Sequence, residues 1–310
     1  MKIFFIGITL KIIILLIIVL LSVSFFTLME QKVLGGLQKR SAPLETGLLG
    51  LLQPISDAGK LFKGELIFRF YFNYFLYFFS PFFILFVSLV SWFVFPLISG
   101  SLSFSNTMLF YFCCLGVGVY GPLFSGWFSN SKYSLLGSVR VVAQVLSYEV
   151  RFYFCLIRVC FLTCSYKFVI FSEFQYIRWF LFLVFPLALL WLILSFAETS
   201  RTPFDLYEGE SELVSGFNTE YGGGVFALIF ISEYAIILLI SLLFILFFGG
   251  GANFFAGFLL LTYVFILVRG VFPRIRYDQL IYSAWTLFLC WAIIIFIIIF
   301  SFVFVLETLL

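Results

Sequence analysis

Eight apolar runs of about twenty residues each constrain this 310-residue chain more than any other feature. A run of that length crosses the roughly 30 Å hydrocarbon core of a bilayer as a helix. The runs are much longer than barrel strands and show no alternation of polar and apolar residues, which favours helices. We therefore expect an all-α polytopic membrane protein with one transmembrane domain over residues 1–310. Its spans should lie near 3–28, 72–98, 106–127, 139–165, 177–197, 225–248, 253–271 and 279–305.

Composition excludes several classes of protein. Hydrophobic residues make up 64% of the chain and charged residues only 11%, against about 25% charged in a soluble domain. The chain has no histidine, so it cannot supply imidazole ligands to a haem. Its six cysteines form no CxxC pair, which argues against zinc and iron–sulfur sites. We expect no bound metal or haem, and a net charge of +3 gives no indication of nucleic-acid binding.

The distribution of Lys and Arg predicts the orientation of the chain. The loops after spans one, three, five and seven, with their flanks, contain most of the basic residues. Basic loops remain on the side where synthesis occurs. These loops should therefore face a mitochondrial matrix or a bacterial cytoplasm.

The first basic loop contains a short amphipathic pattern. From Pro54 onward, one helical face is apolar and another is charged. The pattern predicts a helix lying at the membrane interface, either simply closing the loop or roofing an opening toward the lipid phase. The apolar face comprises Ile55, Ala58, Leu61 and Phe62, and the charged face comprises Asp57, Lys60 and Lys63.

Two acids are predicted to lie deep in the membrane. Glu149 is nine residues into the fourth span, roughly 14 Å along a helix, and Glu233 is at a similar depth in the sixth. An ionisable group at that depth is costly unless it meets water or a partner, so it marks a function by default. Arg151 should find an acidic or aqueous partner for the same reason.

The stretch from Ser195 to Gly224 concentrates acids between two apolar spans. Thr202, Pro203 and Asp205 have the order of a helix start, and Gly216 suits a helix end, which predicts a short helix over 203–215. The stretch is either a solvated acidic loop or part of a water-filled path for protons or cations. Its acids are Glu198, Asp205, Glu208, Glu210, Glu212 and Glu220.

Five loop segments resemble one known family. They are "EQKVLGGLQKR", "GLLQPISDAGKLF", "SGWFSNSKYSLLGSVRVVAQVLSYEV", "AETSRTPFDLYEGESELVSGFNTEY" and "RGVFPRIRYDQL". In order and spacing they resemble the signature segments of the subunit 1 family of NADH:ubiquinone oxidoreductase, respiratory complex I. The family's eight-helix topology agrees with the eight runs.

The resemblance implies a role in quinone reduction and proton translocation. The family joins the membrane arm to the peripheral arm, forms the mouth of the quinone tunnel and carries no redox centre of its own. It implies ubiquinone as substrate, with NADH, flavin and iron–sulfur clusters in partner subunits. The implied partners are the membrane-arm subunits, the quinone-binding peripheral arm and membrane lipids. The implied location is the mitochondrial inner membrane, with the bacterial plasma membrane as the alternative.

The resemblance also implies two groups of site residues. The quinone-binding group is Glu30, Arg40, Asp57, Lys60, Phe62, Phe226, Phe230, Arg274 and Arg276. The proton-path group is Glu149, Glu198, Asp205, Glu208, Glu210, Glu212, Glu220, Glu233 and Tyr234.

The chain departs from the family pattern in three places. Gln31 replaces the usual arginine of E-R-K, and Ala42-Pro43-Leu44 replaces the usual G-P-N, which affects the expected tunnel-mouth contacts. Arg151 and Arg158 stand where apolar residues are usual. Two other functions stay open: a stand-alone proton or cation transporter, and the related subunit of a membrane-bound hydrogenase. A transporter is expected to show internal repeats, and none is evident in the sequence.

Overall fold

The computed structural model describes residues 2–41, 46–47, 50–65, 73–95, 106–175, 179–205, 216–250 and 254–309. All regular structure within these ranges is helical. The α-helices in chain order are α1 (Lys2–Leu37), α2 (Gln53–Lys63), α3 (Tyr74–Ser91), α4 (Thr107–Gly118), α5 (Tyr120–Phe128), α6 (Lys132–Thr163), α7 (Phe168–Phe174), α8 (Phe180–Leu183), α9 (Phe185–Glu198), α10 (Gly223–Phe248), α11 (Phe254–Val271), α12 (Tyr277–Ser283) and α13 (Leu289–Leu309).

The predicted all-α membrane class is confirmed. Among the described residues six helical segments are long and apolar enough to cross a bilayer, and the bent pair α6–α7, with an angle of 56°, makes a seventh. Helix α9 has only 14 residues, or about 21 Å, and falls short of a full span. The predicted count of eight spans therefore stays a prediction. The six segments are Thr9–Leu37, Tyr74–Val94, Thr107–Phe128, Gly223–Phe248, Phe254–Val271 and Tyr277–Ser301.

Helix α10 lies at the centre of the bundle. It packs against α1, α2, α3 and α11, and every residue from Ile237 to Phe248 is buried. A helix that is apolar on all sides can be buried in this way. Trp191 of α9 is fully buried against the Phe244 and Phe247 rings, with centroids 5.4 and 6.5 Å away. Large aromatic side chains therefore fill the centre of the core.

The amphipathic helix predicted for the first basic loop is confirmed as α2. Ile55 and Phe62 are 67% and 61% exposed, so most of the apolar face stays outside the bundle. The C-terminal end of α2 lies against the start of α10, where the Gly64 carbonyl approaches Gly223 closely. Gly223 has a φ of +61°, a conformation that favours glycine.

The helix predicted over 203–215 does not begin where the sequence placed it. Residues 202–204 form a turn, and Asp205 is outside any helix. The Asp205 carboxylate pairs with Arg274 at 3.4 Å, and the Ile275 amide donates to the Pro203 carbonyl at 3.0 Å. These contacts to a distant segment replace the local capping contacts that the sequence indicated. Residues 206–215 lie outside the described part of the chain.

Arg151 is fully buried, and its surroundings are aromatic. Its guanidinium carbon lies 4.8 Å from the Tyr148 ring centre and 5.6 Å from that of Trp285. Within the described ranges no hydrogen-bond partner meets its guanidinium nitrogens. Among the described residues two aromatic rings, and no carboxylate, therefore lie against the Arg151 guanidinium. Arg158, two turns further on, donates to the Ala292 carbonyl.

A close approach at Gly137 allows a stability test of this fold. A Cβ at this position would lie 2.8 Å from the backbone of Gly216, so Gly137→Ala must displace main chain. We expect a loss of about 1–3 kcal/mol, seen as a lower thermal transition of the purified assembly. Gly36→Ala is the control because no atom lies within 4 Å of its Cβ position. Equal transitions for both variants would contradict the close approach.

Candidate functional site

The first acid of the site is Glu149 on α6. It is only 4% exposed, and the hydroxyl of Tyr153, one turn later on the same helix, donates to its carboxylate. The Tyr153 hydroxyl also lies 3.3 Å from the Phe112 carbonyl of α4. Gly116 of α4 faces this pair, and a Cβ there would lie 3.5 Å from the Glu149 Oε1. A small residue on α4 thus leaves space beside the acid.

A cavity of about 120 Å³ lies between α3, α4, α6 and α10. Glu198 at the end of α9 and Glu233 of α10 both line it, together with Tyr111 of α4. Serines and a threonine add further polar groups to a mainly apolar wall. Those hydroxyl residues are Ser88, Ser91, Thr199, Ser200 and Ser232.

Glu149, Tyr153, Tyr111 and Glu198 form what we call the acid–tyrosine cluster. Glu198 interacts electrostatically with Glu149, and Tyr153 interacts with both of these acids. Tyr111 interacts with Glu198 and Tyr153. The α4, α6 and α9 helices thus bring two acids and two phenols together, although the acids are 49 residues apart in the chain.

The acid on the other side of the cavity has a cationic partner. Arg201 donates from Nη2 to the Glu233 Oε2 at 2.8 Å, with side chains 6% and 13% exposed. The same guanidinium lies 4.6 Å from the Tyr234 ring centre and 5.7 Å from that of Phe230. Attraction to aromatic faces adds to the ion pair.

This pair continues into a buried network toward α1. The Tyr234 hydroxyl donates to the Glu30 Oε2 at 2.7 Å, and Arg269 of α11 pairs with the other oxygen of Glu30. The ion-pair cluster, which we define as Glu30, Arg201, Glu233, Tyr234 and Arg269, joins α1, α10, α11 and the segment after α9. It places two predicted proton-path residues next to one predicted quinone-binding residue.

Two tyrosines fix the segment that leads into α10. The Tyr77 and Tyr221 rings are stacked at 4.3 Å, and the Tyr77 hydroxyl donates to the Glu220 carbonyl at 2.5 Å. The Tyr221 hydroxyl shares a hydrogen bond with Ser80 at 2.8 Å. Burial raises the pKa of Tyr221, so this phenol stays neutral and acts as a structural anchor.

The predicted quinone-binding residues fall into separate places. Asp57 of α2 accepts from Gln53 at 2.8 Å and from Gln31 at 3.5 Å, so the glutamine that departs from the family pattern contacts α2. Phe62 covers Gly224, where a Cβ would lie 2.9 Å from its ring. Phe226 and Phe230 contact each other edge-on at 4.5 Å.

The remaining predicted quinone-binding residues are basic. Arg40 and Lys60 are exposed, and Arg276 forms an exposed ion pair with Asp278 at 3.3 Å. Arg274 lies beside Asp205, which is 2% exposed. The predicted quinone-binding cations therefore do not form one cluster with Glu30.

Sequence reasoning missed four residues of the site. Tyr153 could have been found, because it is four residues after Glu149 on a helix and must face the same way. No local sequence pattern indicates the other three, because each meets its neighbours only through contacts between distant segments. They are Tyr111, Arg201 as the partner of Glu233, and Arg269 as the partner of Glu30. Glu208, Glu210 and Glu212 lie outside the described residues, so their roles stay predictions.

This arrangement can hold and transfer protons. Buried carboxylates and phenols beside a cavity are groups that exchange protons through water. In the described ranges no group of three His, Cys, Asp or Glu side chains could hold a metal ion.

The Arg201–Glu233 pair can be tested as a structural unit. Arg201→Gln removes the guanidinium from a buried carboxylate, and breaking such a pair costs about 3–5 kcal/mol. We expect less assembled complex, and partial recovery in the double variant Arg201→Gln with Glu233→Gln, which has no charge to bury. Arg276→Gln is the control, because an exposed ion pair contributes at most about 1 kcal/mol. A double variant that assembles worse than Arg201→Gln would contradict this pairing.

Comparison with known proteins agrees with the resemblance of the loop segments. A sequence model of the NADH dehydrogenase family matches residues 10–300. A relative from Anopheles gambiae is 49% identical over 279 residues, with 89% of each chain covered. One from Aedes aegypti is 48% identical over 279 residues, again with 89% of each chain covered. One from Locusta migratoria is 49% identical over 285 residues, with 90% of each covered.

All three relatives carry the name NADH-ubiquinone oxidoreductase chain 1. The family match and the relatives extend over nearly the same length as the membrane helices and both clusters of the site. The resemblance inferred from the loop segments is confirmed, and the chain belongs to the NADH dehydrogenase family.

Proposed function

We propose that this chain is the core membrane-arm subunit of a proton-translocating NADH:ubiquinone oxidoreductase in the mitochondrial inner membrane. It forms the entrance of the quinone tunnel and the acidic path that couples quinone reduction to proton movement. Ubiquinone is the substrate of the assembled enzyme. The NADH site, the flavin and the iron–sulfur clusters belong to partner subunits of the peripheral arm, and other membrane-arm subunits and lipids surround the chain.

One observation carries the proton-path part of the proposal. Glu198 and Glu233 line one cavity, and Glu198 interacts electrostatically with the buried Glu149. Burying acids is costly, and a purely structural core would gain from apolar residues instead. A function in proton transfer explains why acids are present at these positions.

The quinone part rests on α2 and its neighbours. An isoprenoid quinone enters from the lipid phase, so its opening needs an apolar rim at the interface. Helix α2 presents exposed apolar side chains there, and Phe62 lies against the start of α10. The buried Glu30 is linked through Tyr234 and Arg201 to Glu233, which connects this end of α1 to the acids of the cavity.

Coupling follows from simple electrostatics in this proposal. Quinone reduction consumes two protons and creates transient negative charge, and a new negative charge favours protonation of neighbouring carboxylates. Acids that interact with one another respond as a group. The loop acids Asp205, Glu208, Glu210, Glu212 and Glu220 would respond first and pass the change to Glu198, Glu233 and Glu149. A stand-alone transporter would need no quinone opening, and the names of the relatives do not favour it.

The proton path predicts a specific defect for Glu198→Gln. Glutamine keeps the shape of the side chain but cannot release a proton, so we expect assembled complex with proton pumping reduced at least about 10-fold. The measurement is proton uptake and NADH oxidation in sealed vesicles. Glu173→Gln is the control, since Glu173 is exposed on α7. Parental pumping in Glu198→Gln would remove Glu198 from the path.

The quinone opening predicts a change in KM. Phe62→Ala removes an apolar contact at the rim, and the loss of about 1 kcal/mol of binding raises the quinone KM about fivefold. The turnover number at saturating quinone should change little, because the residue does not touch the reacting atoms. Phe300→Ala, 53% exposed on α13, is the control. A KM unchanged in Phe62→Ala would place the opening elsewhere.

A further inference from the structure

Tyr111 is a phenol in a position that would suit phenylalanine better. Its side chain is 1% exposed, and its ring packs 6.5 Å from that of Phe152 in the aromatic core. Within the described residues its hydroxyl has no hydrogen-bond partner. Buried tyrosine hydroxyls normally find a partner, and an unsatisfied one costs about 1–3 kcal/mol. The hydroxyl therefore needs a partner that the described residues do not supply.

Glu198 has the same property on the same cavity. Its Oε2 is buried and lacks a hydrogen-bond partner among the described residues, and both side chains line the cavity of about 120 Å³. One buried water needs roughly 15 Å³ and two or more polar partners. The cavity has room for several waters, and the two unsatisfied atoms provide partners for them.

Tyr153 extends this arrangement to Glu149. Its hydroxyl donates to the Glu149 carboxylate, and Tyr153 interacts electrostatically with Glu198. Tyr111 interacts with both Tyr153 and Glu198. Each phenol thus interacts with the other phenol and with at least one of the two acids. Because the Tyr111 hydroxyl has no direct hydrogen bond among the described residues, water on both sides of it gives the order Glu198, water, Tyr111, water, Tyr153, Glu149.

We propose that the Tyr111 and Tyr153 hydroxyls, with water held in the cavity, form the proton link between Glu198 and Glu149. This inference rests on the proposed function and assigns two further residues to its path. A proton leaves the Glu198 carboxyl group for a cavity water as that water passes one to Tyr111. Tyr111 passes its own proton through a second water to Tyr153, and the O–H bond of Tyr153 breaks as one forms on Glu149. One proton moves in total, and no group is oxidised or reduced.

The test uses variants that remove one oxygen atom each. Tyr111→Phe and Tyr153→Phe keep the rings, so packing is preserved. In the assembled complex in sealed vesicles, with ubiquinone and NADH supplied, we expect proton pumping to fall at least fivefold in each. The solvent deuterium isotope effect on turnover should rise, because slowed proton transfer then limits the rate. Tyr120→Phe, 53% exposed on α5, should match the parent in both measurements.

The double variant tests whether the hydroxyls act in series. If both hydroxyls belong to one relay, removing either one already breaks it. The double variant Tyr111→Phe with Tyr153→Phe should therefore pump protons no more slowly than the slower of the two single variants. Multiplied losses would overturn the serial arrangement. Loss of assembly in Tyr111→Phe would also overturn the proposal, because a hydroxyl satisfied only by water is not required for folding.

The outcome is separable from that of the proposed function. If the single variants pump at the parental rate and isotope effect while Glu198→Gln does not, the tyrosine link is wrong and the acidic path stands. If Glu198→Gln is also parental, the proton path itself is wrong, and the tyrosine link fails with it.

Discussion

The cost of placing charge in a low-dielectric interior determines most of this structure. Three of the acids have a neighbour that reduces this cost: Tyr153 for Glu149, Arg201 for Glu233, and Tyr234 with Arg269 for Glu30. In three of these four contacts the partner comes from a different helix or segment, so each of those contacts also joins two parts of the bundle. The contacts that offset the cost of the buried acids are therefore also contacts that hold the bundle together. They involve α1, α6, α10 and α11.

The short helix α9 follows from a second constraint, the need to satisfy backbone groups away from water. A chain that leaves a helix inside the bundle must find partners for its carbonyl and amide groups. Gln144 of α6 supplies them, donating to the Phe204 carbonyl at 2.9 Å and to the Ala197 carbonyl at 3.4 Å. The Ile275 amide does the same for Pro203. These contacts hold the turn that brings Arg201 to Glu233.

The sequence predicted what depends on local pattern and composition. Long apolar runs identified the all-α membrane class, and the spacing of Ile55, Leu61 and Phe62 identified α2. Acids in apolar runs predicted Glu149 and Glu233 as site residues, and that role stays a prediction. The sequence could not predict partners that meet only through tertiary packing, such as Arg201 with Glu233 or Arg269 with Glu30. The start expected at Pro203 was wrong for the same reason, since Asp205 is held by the distant Arg274 rather than by its own amides.

The ion-pair cluster and the acid–tyrosine cluster differ in the kind of partner that each carboxylate meets. In the ion-pair cluster the carboxylates of Glu30 and Glu233 each pair with a guanidinium, which holds the geometry of both side chains. In the acid–tyrosine cluster Glu149 accepts a hydrogen bond from the neutral phenol of Tyr153, and Glu198 interacts electrostatically with the same phenol. An ion pair fixes the positions of both side chains, whereas a neutral hydroxyl can both donate and accept a hydrogen bond. The cavity between the clusters therefore has a fixed ion pair at Glu233 on one side and the hydroxyl of Tyr111, which can relay a proton, on the other.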